Sequence, residues 1–353
     1  MRLRKLSLIL AGCTLLAAAA CWLAAQLASG HDFPVCTIGF PQNARSVSIL
    51  QEGMDLRWSK GCLYAAPNYG DSRLVSSSGA LALLGADGAI PLNRVAVMDA
   101  RDGAILWRTP LGSATEIAAD EEAFYVGGLR GSVERRSPLS GDLQWRTYVT
   151  PSRRVFALHL YDRSVYAYSN PNSLQLLDRE TGRPIDTAGT SLLYTVHLIL
   201  PEIAIGDSIR AEDLETNSML WAIGLGLEVL ETPVVVSDTL VVRTGDQMGH
   251  VVGIDIKSGR TLWQSEAEVV SNIATSSEGI LFLTRDGMLH AVDPTTGSDS
   301  ILLMYESPKL MLPSSLKGTV GGYYVAVDPA VNSLYVLLGD SGQLDTFAFP
   351  QSP

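Results

Sequence analysis

Helical periodicity is the first thing this sequence lacks. Beyond the N-terminal stretch no long segment repeats apolar residues every 3.6 positions, which excludes a helical bundle or a helical solenoid. Basic charge is scarce as well: Lys and Arg total 26 against 37 Asp and Glu, a formal charge of -11. Three of the positives, Arg2, Arg4 and Lys5, precede residue 6, so the chain beyond residue 30 carries -14. Nucleic acid and anionic lipid surfaces are therefore not expected partners. Histidines are few and scattered, at positions 31, 159, 197, 250 and 290, with no metal-ligand spacing. The aspartates lack the alternating acidic loop of a calcium-binding hand. Of four cysteines, Cys13 and Cys21 lie in an apolar stretch, leaving Cys36 and Cys62 as one candidate disulfide. An oxidising compartment would permit that bridge, worth roughly 3 kcal/mol for a loop of about 25 residues. The alternative is two separately packed thiols.

What the sequence does have is a repeat. Residues 251–263, V-V-G-I-D-I-K-S-G-R-T-L-W, read as one β-hairpin. An apolar strand leads to a turn from Asp255 to Gly259, and a return strand reaches Trp263. The Asp side chain can accept from backbone N–H groups ahead of it, and the Gly can take a positive φ. The same D-x-x-x-G-x-x-x-W frame recurs at Asp99, Gly103 and Trp107, and at Asp213 and Trp221 with Asn217 for the Gly. Gly141 and Trp145 follow Ser137, while Asp178 with Gly182 and Asp293 with Gly297 keep the turn but have Asp186 and Ile301 at the Trp position. The turns begin at 99, 137, 178, 213, 255 and 293, spaced by 38, 41, 35, 42 and 38 residues. A second apolar run precedes four of the hairpins, at 123–126, 165–168, 240–242 and 280–283. About four short strands per period is the blade of an all-β propeller.

Both ends of the chain add to this reading. Residues 53–58, G-M-D-L-R-W, look like the return half of a hairpin, whereas 323–327, 334–338 and 343–349 are three strands with no fourth. An N-terminal strand completing the last blade closes the ring and leaves no open gap. The expected fold is one β-propeller over residues 31–353, with seven blades, or eight if the 60s to 80s hold a blade of their own. Residues 6–30 are uncharged and rich in Ala and Leu, long enough for a membrane-spanning helix. The expected location is extracytoplasmic, by a membrane anchor over residues 6–29 or by secretion after cleavage near Gly30. A lipoprotein with Cys13 as the lipidated residue, in L-A-G-C, is the third reading. The absence of any N-x-S/T sequon favours a bacterial source.

The D-x-x-T-G-x-x-L-W frame at this period resembles the pyrroloquinoline-quinone-type repeat of quinoprotein-like propellers, over roughly residues 50 to 349. The resemblance implies tryptophans docked between neighbouring blades. Families sharing the repeat include quinoprotein dehydrogenases and BamB-like scaffolds of outer-membrane protein assembly. Many of the dehydrogenases carry an adjacent Cys-Cys pair and a Glu, Asn and Asp calcium site, and neither can be matched here. Gly339-Asp340-Ser341-Gly342 looks like the nucleophile motif of chymotrypsin-type proteases, but no His sits in a matching context, and the stretch reads as a hairpin turn. We therefore expect no catalytic residue, cofactor or metal, and expect a scaffold for other proteins of the cell envelope. The alternative is a sensor or ligand-binding propeller using a central channel. Two atypical segments, 85–94 and 306–318, fall on the face opposite the repeat turns. The second carries Leu310, Met311 and Leu312, an apolar triplet that is either tucked under a neighbour or exposed as a partner loop.

Overall fold

The computed structural model describes residues 45–61, 74–86, 93–110, 112–149, 154–155, 157–161, 163–170, 173–185, 195–197, 208–213, 218–226, 233–245, 249–277, 279–306, 310, 323–339 and 341–349. The expected N-terminal helix, Cys36 and Cys62 lie outside these residues. Among the described residues no helix is long and apolar enough to cross a membrane.

Short strands separated by tight turns produce seven antiparallel sheets. Strands β1 (Val47–Ile49) and β2 (Asp55–Lys60) come first, then the first sheet: β3 (Leu74–Ser77), β4 (Ala80–Ala86), β5 (Asn93–Asp99) and β6 (Ile105–Arg108). The second holds β7 (Ala114–Ala119), β8 (Phe124–Gly128), β9 (Ser132–Arg136) and β10 (Leu143–Tyr148). The third shows β11 (Ala157–Tyr161), β12 (Ser164–Asn170) and β13 (Ser173–Asp178), and the fourth β14 (Thr195–His197), β15 (Ser208–Asp213) and β16 (Ser218–Gly224). The fifth holds β17 (Val234–Val236), β18 (Thr239–Gly245), β19 (Gly249–Asp255) and β20 (Thr261–Gln264). The sixth is β21 (Ala274–Ser276), β22 (Gly279–Leu283), β23 (Met288–Val292) and β24 (Asp299–Tyr305). The seventh is β25 (Tyr324–Asp328), β26 (Ser333–Leu338) and β27 (Gln343–Ala348), completed by β2 pairing with β27. The half-hairpin at the N-terminus thus meets the three strands at the C-terminus. One strand was not foreseen: β1 adds to β24 as a fifth strand of the sixth sheet.

Middle strands are apolar on both faces because successive side chains point to opposite neighbours. On β4, Leu81 and Leu83 pack with Tyr335, Leu337 and Leu344 of the seventh sheet, while Ala80, Ala82 and Leu84 pack with Ile117, Phe124 and Val126 of the second. Comparable cores lie between the second and third, fourth and fifth, fifth and sixth, and sixth and seventh sheets. Among the described residues the core is a series of such layers between neighbouring sheets. Each strand inside it is shielded on both faces, which accounts for unbroken runs such as L-V-V in β18 and I-L-F-L in β22.

The segment at 85–94 is shorter than its sequence implied. Gly85 pairs with Arg94 and Ala86 with Asn93, so the β4–β5 ladder runs up to residue 86 and resumes at 93.

Candidate interaction surface

The repeat turns form as their residue types dictate. Asp99, Asp178, Asp255 and Asp293 accept, at Oδ1, the backbone N–H of Arg101, Thr181, Ser258 and Thr296 at 2.9, 2.8, 2.6 and 2.6 Å. Each turn closes by a glycine N–H donating to the first residue's carbonyl, as Gly259 does to Asp255 at 2.8 Å. Gly103, Gly141, Gly182, Gly259 and Gly297 all have φ between 65° and 73°, a conformation costly for other residues. These hydrogen bonds hold the four carboxyls below their ordinary pKa. The first cause is the Arg101 side chain for Asp99, the Thr181 and Ser258 hydroxyls for Asp178 and Asp255, and the Thr296 N–H for Asp293.

Each turn is also the seat for a tryptophan of the preceding sheet. Indole N–H groups of Trp58, Trp107, Trp145, Trp221 and Trp263 donate to the carbonyls of Ala100, Pro138, Arg179, Ile256 and Pro294 at 2.7–3.0 Å. Each accepting residue directly follows the first residue of its turn. The turn glycine lies against the same indole, so a Cβ on Gly141, Gly182, Gly259 or Gly297 would fall 2.5–2.7 Å from ring or side-chain carbon. Glycine is thus required twice, by the turn and by the tryptophan. A one-residue register shift precedes every docked tryptophan: Arg57, Leu106, Gln144, Leu220 and Leu262 are each skipped in the ladder. Such bulges re-aim a side chain, here toward the neighbouring sheet. The sequence pattern revealed the tryptophans but not the bulges: three of the five skipped residues are leucine, and a leucine before a tryptophan reads as ordinary strand sequence.

Two polar junctions were not legible in the sequence. Between the second and third sheets, the buried Arg135 guanidinium reaches Glu180 at 3.1 Å and Glu122 at 3.0 Å. Beside it Tyr125 donates to Asp120 at 2.8 Å, and burial, then that bond, pushes the phenol well up. Both glutamates are exposed, so this corner presents negative charge over a buried cation. Between the sixth and seventh sheets, Asp345 is fully buried and its pKa is raised by burial, against the hydrogen bonds of Ser59, Tyr305 and Gln343. Gln343 donates to Asp345 at 2.7 Å and to the Arg45 carbonyl at 3.1 Å, while Arg45 N–H donates to Gln343 Oε1 at 2.6 Å. The cluster ties the start of β1 to the seventh sheet.

The remaining expected site residues divide as follows. Leu310 is buried, in the core between the sixth and seventh sheets, and its N–H donates to Arg285 O at 2.8 Å. It therefore cannot belong to an exposed partner loop; Met311 and Leu312 lie outside the described residues. The Gly342 N–H donates to Leu338 O, closing a plain turn between β26 and β27. His290 contacts Asp299 at 2.8 Å and stacks on Phe282, a packing role. Asp213 lies at the end of β15, and Asn217 and Asp186 lie outside the described residues. Among the described residues no group of three His, Cys, Asp or Glu could hold a metal ion.

Sheets joined by docked indoles over D-x-x-x-G turns define a β-propeller of the quinoprotein-like repeat type. A family model, outer membrane protein assembly factor BamB, matches residues 92–185 and 203–301, more than half of the chain. The chain belongs to that family. Solved structures resemble it at low identity. BamB from Moraxella catarrhalis is 17% identical, with 85% of this chain and 99% of that chain covered and a TM-score of 0.45. The β-propeller domain of Cps50 (Swd1) from Myceliophteria thermophila is 11% identical, covering 84% and 99%, with a TM-score of 0.55. A chain of the mitotic checkpoint complex is 12% identical, covering 90% and 100%, with a TM-score of 0.60. The last two speak to the fold alone. No curated protein sequence is similar enough to count as a relative.

Proposed function

We propose that this chain is a non-catalytic scaffold outside the cytoplasm, its seven sheets acting as the blades of one closed ring that holds other envelope proteins together. Membership in a family of outer membrane protein assembly factors carries the reading. The acidic balance supports protein partners over nucleic acid. Residues 6–29 would tether the ring to the membrane, or be removed near Gly30. The test is affinity purification of the tagged, full-length protein from gently solubilised membranes of its own cells, with mass spectrometry of what accompanies it. Co-purifying envelope-assembly components support the scaffold. Recovery of the propeller alone with a retained small molecule overturns it in favour of a ligand-binding propeller, and cofactor absorbance with dye-linked dehydrogenase activity overturns it in favour of an enzyme.

A further inference from the structure

Residues 45–51 cross from the sixth sheet to the seventh before the chain enters β2. Along the outer strand β24, Val47 lies opposite Tyr305 and Ile49 opposite Leu303. The Leu302 carbonyl accepts from the N–H groups of Leu50 and Gln51, and Glu306 N–H donates to Ser46. Side chains add little to this grip. Val47 and Ile49 rest half-buried on the core below, and Leu50 is 54% exposed. The sixth sheet has four strands without β1, as the first, second and fifth do. A short strap held mainly by backbone bonds belongs to the low-stability end of a fold.

On the seventh sheet the strap is latched by one side chain. Gln343 Oε1 accepts the Arg45 N–H at 2.6 Å, and Nε2 donates to the Arg45 carbonyl at 3.1 Å and to Asp345 at 2.7 Å. Asp345 is thus one hydrogen bond behind the latch, and it is fully buried. It faces Tyr305 of β24, Ser59 of β2 and Gln343 of its own strand. Of these Tyr305 alone titrates, and burial first holds its phenol neutral, well above the ordinary range. Arg45 meets the cluster through its backbone, while Glu306 accepts from the Ser48 hydroxyl at the exposed rim, at 3.2 Å. A carboxylate walled in by neutral groups is disfavoured in its charged form.

We infer that residues 45–51 are a pH-gated strap, closed over the seam while Asp345 is neutral and opening away from β24 and Gln343, with the ring intact, when Asp345 ionises. Opening admits water to Asp345 and Tyr305 and uncovers the 302–306 edge of β24. Where residues 6–29 tether the ring, as proposed above, it also frees the seven residues 45–51 as link, up to about 23 Å of added reach at roughly 3.3 Å each. The direction follows from linkage. Burial raises the Asp345 pKa above 3.8 in the closed state, and hydration in the open state returns it to the ordinary value. Closure is therefore fully favoured below the ordinary value and is lost as pH rises through the raised one.

Hydrogen exchange of the full-length protein from about pH 4 to about pH 8, corrected for the intrinsic pH dependence of exchange, tests this. Protection of the Leu50, Gln51 and Glu306 amides should fall about tenfold per pH unit between the ordinary and raised values, then level off. Amides of Leu334 and Val336 in β26 should keep theirs. Asp345→Asn, of the same shape, should make strap protection independent of pH. Glu306→Gln, which leaves Ser48 an acceptor, should keep the parent's slope. Arg45→Pro removes the N–H that Gln343 accepts and should lower strap protection at every pH without moving β26, which tests the latch without touching the buried acid. Strap amides that exchange together with β26, a flat profile, an unchanged slope in Asp345→Asn or a slope lost in Glu306→Gln overturns the inference. These readings come from the ring itself. Cleavage near Gly30 cancels the added reach and leaves the strap, and a ring that purifies alone removes the scaffold and leaves the strap.

Discussion

Seating of an indole on the next sheet's turn predicts a coupling that can be measured at Trp221 and Gly259. Trp221 is buried, and its indole donates to Ile256 at 2.9 Å. Cutting it to Ala removes a large aromatic from the core between the fourth and fifth sheets and should cost about 3–5 kcal/mol. Gly259→Ala carries two separate penalties. The left-handed φ of 70° costs an alanine roughly 1–2 kcal/mol, and the new Cβ would stand 2.6 Å from the Trp221 ring, an overpacking term of about 1–3 kcal/mol. In the Trp221→Ala background the second penalty has no partner and disappears. The double variant should therefore be more stable than the sum of the singles by about 1–3 kcal/mol. Urea unfolding of all four proteins, followed by far-ultraviolet circular dichroism, gives the cycle. Additivity within about 0.5 kcal/mol would refute the packing of glycine against indole.

Two further predictions concern pH. The carboxyls of Asp99, Asp178, Asp255 and Asp293 are held below the ordinary 3.8, so their contribution is present above that value and lost as pH falls through the lowered ones. The urea midpoint should fall with acid over that range, and Asp255→Asn should flatten part of the slope; an unchanged slope in that variant removes the turn from the account. Asp345 works in the opposite sense, because burial raises its pKa above 3.8: its protonated form is favoured in the fold, and stability is lost as pH rises through the raised value. Asp345→Asn should match the parent in acid and equal or exceed it at pH 7 in urea midpoint, whereas a lower midpoint at pH 7 would show that its hydrogen bonds outweigh burial.

Legibility in the sequence followed repetition. Turns and tryptophans recur at one period, so the D-x-x-x-G-x-x-x-W frame exposed the hairpins, and the incomplete units at the two ends exposed the pairing of β2 with β27. Features made once were hidden. The strap β1 is three residues long and has no partner nearby in sequence, since Val47 meets Tyr305. Asp345 reads as an ordinary polar residue in a strand, and only the approach of Tyr305 and Gln343 makes it a buried acid. Leu310 in a long loop has two readings until its N–H is seen on Arg285.

The same contrast explains why the strap sits where it does. Five sheets hold their neighbour through an indole, but the sixth has Ile301 at that position, and Ile301 is 37% exposed. There the skipped residue turns inward instead: Leu302 is buried with Phe347 and Phe349 of the seventh sheet, whereas its counterparts Leu220 and Leu262 stay exposed. A leucine fills less volume than an indole and brings no N–H to the next sheet. The chain makes up the difference from its N-terminal end. β1 takes its hydrogen bonds on β24, Arg45 takes its own on Gln343, and the chain then enters the seventh sheet as β2. This seam is thus crossed by backbone, and it adjoins the seventh sheet, where the N-terminal strand β2 meets the C-terminal strand β27.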